Sequence, residues 1–183
     1  MKNLLPIIIY MLFIFNVNAQ TIKAPKGYSP QIGNLISMLD DLKARVTRSV
    51  ETLSQEKTDF LLDQKANRIG AMVMHLAATE RYYQLYTFEN RGYNAVEKQQ
   101  WETALNLGNQ GREQLVDKPI AHYLALWDEV RKETKRLLKD KDDKWLNAKV
   151  KDSNMNNHWA WYHVVEHQAN HMGQIRLILK RIE

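Results

Sequence analysis

The sequence predicts an all-α protein, an antiparallel four-helix bundle with a long connection between the second and third helices that carries a short extra helix. Three observations lead there. Apolar residues recur at steps of three and four along four long segments, the signature of an amphipathic helix. The chain shows no strand-type alternation of useful length, no internal repeat and no Gly-rich phosphate loop. The connections between the segments are polar and punctuated by Gly and Pro, and four such segments in one domain pack as a bundle.

The chain opens on a leader rather than on the fold. Lys2 gives a positive start, Leu4 to Phe15 is almost wholly apolar, and Val17, Asn18 and Ala19 supply short residues before Gln20. That is the pattern of a secretory signal over residues 1–19, and its apolar run is short of the roughly 20 residues that span a bilayer. The expected address is export, to the periplasm or the exterior, with no stable membrane anchor after signal removal. Residues 20–28, with Pro25 and Gly27, read as a linker, and residues 29–183 as one domain. Cysteine is absent, which excludes disulfides, a thiolate nucleophile and any thiolate metal ligand. The net charge of +5 is spread as mixed signs along helical faces, a solvated surface rather than a nucleic-acid footprint.

The first helix is expected from Ser29 or Pro30 to Leu53, with Ile32, Leu35, Leu39, Leu42, Val46 and Val50 inward and Ser29 before an N1 proline as the start signal. The polar stretch Ser54 to Lys65 follows, and Phe60, Leu61 and Leu62 within it are expected to plug one end of the bundle. The second helix runs from Ala66 or Asn67 to Phe88. His75, Thr79, Tyr82 and Tyr86 form a semi-polar stripe beside its apolar face. Glu89 to Asp117 is long for a connection, and long connections often cover functional openings. A short helix is expected there near Ala95–Leu107. The third helix starts with Asp117 as cap and Pro119 in the first turn, and buries Ile120, Tyr123, Leu124, Trp127, Val130, Thr134, Leu137 and Leu138. His122 falls off that stripe. Lys139 to Asn157 is a polar lid or strap carrying Trp145 and Leu146. The fourth helix, capped by Asn156 or Asn157, runs to Ile182. Gly173 sits within it without a capping role, and a close helix contact is the expected reason.

The fourth helix carries the chemistry. His163, His167 and His171 stand four residues apart, so they form a ladder of imidazoles on one side of a helix. Two imidazoles from adjacent turns are pre-positioned for one metal ion. Bundles build such sites between facing helices, so His75 can converge with His167 and His171. Three neutral imidazoles with a position left for water form an open site of the catalytic type. His163 can be a fourth ligand, a supporting donor or a residue at the mouth. His158 is read as structural or exposed. Glu80 and Glu166 are the nearest carboxylates in sequence, but neither is well placed by helical geometry, so no catalytic base is named. Tyr82, Tyr86, Trp159 and Tyr162 are candidates for the pocket wall.

The segment from Asn67 through Gly70 and His75 to Tyr83, together with the run from His163 through His167 and His171 to Gly173 and Gln174, resembles the DinB-like family of four-helix metalloproteins, which includes the YfiT-type proteins. The resemblance spans about Gln31 to Arg181. Its specific part is one His on the second helix and a His-x3-His leading into Gly-Gln on the last. It implies His75, His167 and His171 as ligands of a divalent metal, with zinc, nickel and iron not distinguishable. Met172 stands where many members have Arg. Relatives of this kind include thiol-dependent transferases and isomerases and proteins described as metal-dependent hydrolases. The small thiols such transferases use are cytosolic, so the leader shifts the expectation toward hydrolysis or an unrecognised reaction on a small-molecule substrate. The alternative is a non-catalytic exported helical protein that binds a metal or small ligand. A homodimer is left open, since the sequence identifies no second surface.

Overall fold

The computed structural model describes residues 21–182. The expected leader therefore lies outside the described residues. Among them the fold is all-α, with eight α-helices and one isolated bridge between Lys149 and Asn156. The helices are α1 (Pro30–Val50), α2 (Gln55–Thr58), α3 (Ile69–Gln84), α4 (Ala95–Asn106), α5 (Gly108–Gln114), α6 (Ile120–Lys139), α7 (Asp143–Asn147) and α8 (Asn157–Leu179). A π-helical turn, Leu85–Glu89, continues α3. No described helix is long and apolar enough to cross a membrane.

The four long helices are α1, α3, α6 and α8. Helix α3 packs on α6 and α8, and α1 on α8 and α6. The apolar stripes read from the sequence supply the interior: Ile32, Leu35, Leu39, Leu42, Val46 and Val50 from α1 are buried, as are Tyr123, Leu124, Trp127 and Leu138 from α6. Helix α3 is buried at every position from Ile69 to Glu80, because α4, α6 and α8 all contact it. Helices α3 and α6 approach closely at Gly70, where an added Cβ would lie 2.5 Å from Tyr123 Cε2.

Several local expectations change. Phe60 and Leu62 are each 37% exposed, so they do not plug the bundle. Thr58 closes that end instead, fully buried beneath Gly70, while the Arg68 guanidinium donates to the Asp59 carbonyl and holds the connection in place. Asp117 does not cap α6. Its φ is +59°, and Pro119 occupies the N-cap position. The connection holds two helices rather than one: Leu107 and Gly108 adopt positive φ, which breaks the path between α4 and α5. Ser29 takes the N-cap position of α1, but its hydroxyl donates to Asp143 Oδ1 at 2.6 Å, tying α1 to α7. Gly173 has no atom within 4 Å of a built Cβ, so no close helix contact explains it.

Candidate metal centre

His75 projects from the middle of α3, and His167 and His171 from successive turns of α8. The crossing of the two helices brings them together. One ring nitrogen of each can be chosen so that all three lie within 4.8 Å of one another. The closest pair is His75 Nε2 and His167 Nε2, 3.0 Å apart. Ring centroids are 4.7 Å apart for His75 and His167, 4.8 Å for His75 and His171, and 4.6 Å for His167 and His171.

The outer nitrogens explain why the inner ones converge. His75 Nδ1 lies 2.8 Å from the Ala104 carbonyl of α4. A carbonyl only accepts, so Nδ1 carries the proton and Nε2 is left as a bare lone pair. His171 Nδ1 donates to Gln174 Oε1 at 3.2 Å, which leaves His171 Nε2 bare by the same reasoning. Such outer donors orient metal-binding imidazoles. His167 Nδ1 is buried and has no partner. Thr79 Oγ1, one turn beyond His75 on α3, is also buried and unpartnered.

Burial also keeps the rings neutral. It lowers the pKa of His75 against a smaller upward pull from the Ala104 and Leu105 backbone. Burial first, and then the neighbouring imidazoles, brings His167 down to about 3. Burial and His75 bring His171 down to about 4. Neutral imidazole is the form that binds a metal. Two oriented lone pairs, a third imidazole nitrogen in contact and suppressed protonation make this donor set a fit for a divalent cation of the zinc, nickel or iron(II) type.

A family model described as mycothiol-S-transferase matches residues 34–183, which include all three histidines. The chain belongs to the mycothiol-S-transferase family. This is a DinB/YfiT-like metalloenzyme family, in agreement with the resemblance carried by the two His segments. A search of curated proteins gives no match.

The remaining candidates separate cleanly. His163 stays on the α8 ladder, with its centroid 5.8 Å from that of His167, but outside the three-imidazole cluster. Its Nδ1 donates to Glu166 Oε1 at 2.9 Å. The sequence spacing already carried this pair, since residues three apart are neighbours on a helix. Tyr82 and Tyr86 stack at 5.8 Å, and Tyr83 places its ring 5.7 Å from His163. These rings pack on one another and reach the ladder at His163. Trp159 stacks on His163 with centroids 5.3 Å apart and an interplanar angle of 7°. Tyr162 instead lines a cleft against α1 with Leu35, Met38 and His158. His122 and His158 are exposed.

Glu80 has another purpose. It is fully buried and accepts hydrogen bonds from Trp127 Nε1, from Arg131 Nε and Nη2, from Thr134 Oγ1 and from Gln168 Nε2. Burial alone would raise its pKa, but the Arg131 charge and these donors outweigh it and hold the carboxyl below its usual range. The network joins α3, α6 and α8, and Arg131 Nη1 extends it to Asp40 of α1 at 3.3 Å. Arg131 was legible in principle, because it follows Trp127 by four residues on the inward stripe of α6.

Proposed function

We propose that the chain is a metal-dependent transferase that moves the sulfur of a small thiol onto an electrophilic organic acceptor, with His75, His167 and His171 as the metal ligands. The observation that carries the reading is the convergence of three neutral imidazoles, two of them oriented by outer hydrogen bonds, in a chain of this family. A divalent cation held there would supply Lewis acidity, lowering the pKa of a bound thiol. The chain's own residues supply the rest. The Glu166 carboxylate accepts from His163 Nδ1–H and so leaves His163 Nε2 as the basic nitrogen, one turn of α8 from His167. His163 Nε2 takes the proton released by the thiol. The sulfur lone pair then forms the bond to the acceptor carbon, the leaving atom departs with its electron pair, and His163 returns the proton to it. The Tyr82, Tyr83 and Tyr86 wall shields the reacting groups on the α3 side.

Mycothiol is the thiol that the family description names. The leader pattern over residues 1–19 supports export, and that favours a second reading. In an exported protein, where such cytosolic thiols are scarce, the same three histidines and His163 would serve hydrolysis, with water in place of the thiol. N-terminal mass analysis of the protein from culture separates cleavage after Ala19 from retention.

Elemental mass spectrometry of the purified protein beside a His75→Ala/His171→Ala double variant tests the site. Near-stoichiometric metal in the first and none in the second is expected. Absence of metal after chelator-free purification, with no uptake of zinc, nickel or iron(II), would overturn the metalloenzyme reading. Thiol consumption in the presence of an electrophile, set against hydrolysis of the same electrophile without thiol, decides between the two reactions.

A further inference from the structure

Trp159 is 47% exposed, an unusual state for so large an apolar side chain, yet its ring is held flat against His163 at an interplanar angle of 7°. From Trp159 the rings run on through His163 and His167 to His171, with centroid steps of 5.3, 5.8 and 4.6 Å. One end of this series is the proposed metal centre. The other end is the wall of a cavity of about 570 Å³, lined by Lys149, Asn154, Met155, Asn156 and Trp159. That size falls within the range of small-molecule sites, about 300–1,000 Å³.

The wall opposite Trp159 is built rather than loose. Residues 148–157 fold back on themselves, with Val150 N donating to the Met155 carbonyl and Asn157 N to the Ala148 carbonyl, each at 3.0 Å. Asn157 Nδ2 donates to the Trp145 carbonyl at 2.9 Å, which fastens the turn to α7. Asn156 Oδ1 accepts from Trp159 N at 2.8 Å, so the residue that caps α8 also fixes the backbone beneath the indole. The cavity thus offers a pre-set aromatic face, a thioether, two amides and the cation of Lys149, with no carboxylate among its lining residues.

We propose that this cavity is a binding site for a planar aromatic molecule carrying a carboxylate, with the ring on Trp159 and the carboxylate toward Lys149. A planar ring gains from stacking on the exposed indole, and the single cation with no opposing carboxylate selects an anion over a neutral molecule.

The test is calorimetric titration of the whole protein with 2-naphthoate and with its neutral counterpart 2-naphthol, before and after chelation. Each variant's fold is checked by circular dichroism. Saturable 2-naphthoate binding is expected with and without metal. Trp159→Ala should weaken both ligands about tenfold, since it removes the stacking face, while Trp159→Phe keeps most of the affinity. Lys149→Met should weaken 2-naphthoate and leave 2-naphthol unchanged. No saturable binding to the wild type, or equal binding by folded Trp159→Ala, would overturn the subsite. Equal loss of both ligands in Lys149→Met, or no loss of 2-naphthoate, would overturn its assignment to an acid. Metal content is read separately. A protein that binds 2-naphthoate but takes up no metal keeps the subsite and loses the metalloenzyme reading, and the reverse result sinks the subsite alone.

Discussion

Glu80→Gln is the sharpest probe of what holds α8 against α3 and α6. Glu80 Oε1 accepts from Arg131 Nε at 2.8 Å and Thr134 Oγ1 at 2.6 Å. Oε2 accepts from Trp127 Nε1 at 3.0 Å, Arg131 Nη2 at 2.9 Å and Gln168 Nε2 at 3.1 Å. At Oε2 every neighbour is an N–H donor, and at Oε1 the Arg131 Nε–H stands beside a Thr134 hydroxyl that already accepts from Gln84 Nε2, so an amide NH2 in either position opposes an Arg131 N–H. The substitution also leaves Arg131 buried, with Asp40 as its remaining anionic partner. Removing one partner of a buried ion pair costs about 3–5 kcal/mol. In urea unfolding followed by circular dichroism, that cost should appear as a midpoint lowered by about 1–3 M. The double variant Glu80→Leu/Arg131→Met should lose less than the sum of the single changes, because no unpaired charge stays behind. Metal stoichiometry of the folded Glu80→Gln protein should be unchanged, since Glu80 makes no contact with the three imidazoles. A loss below about 1 kcal/mol, within the range of an ordinary hydrogen bond, would refute the argument that the network is a buried, fully satisfied ion pair.

Other outcomes follow from the same geometry. Gln174→Ala removes the acceptor that orients His171 and should lower metal affinity about tenfold or more, as read by competition with a chelating dye. Gly70→Ala places a methyl against the Tyr123 ring and should destabilise by about 1–3 kcal/mol in chemical denaturation. Gly173→Ala meets open space on α8, so it should instead stabilise by about 1 kcal/mol. In chelator-treated protein the depressed pKa values of His167 and His171 mean that the unfolded chain takes up protons more readily than the folded one. The associated stability is complete above about pH 6.5 and is lost as pH falls below it. Urea midpoints of the metal-free protein near pH 7 and near pH 5 should therefore differ, with the lower value at the more acidic pH.

The sequence by itself determined the four long helices and the candidate ligands. Steps of three and four fixed α1, α6 and α8 because burial on one face leaves a 3.6-residue period in any chain that folds this way. A cap at Asn156 or Asn157 was equally legible, since an Asn before a helix satisfies an otherwise orphaned backbone donor, and the structure uses Asn156. His75, His167 and His171 stood out because a ladder on one helix and a single His on another is a local pattern. Tertiary structure decided the rest. No pattern in the chain announces that the Ala104 carbonyl orients His75, because every residue has a carbonyl and only the seating of α4 on α3 selects this one. Phe60 and Leu62 look like core and are not, since Thr58 beneath Gly70 already closes that end. For Glu80 the sequence said only that it is not well placed beside His75, because helical angle alone cannot say that Arg131, Trp127, Thr134 and Gln168 arrive from two other helices to surround it. Spacing reports which residues share a face. Only the packing of one face on another reports what that face meets.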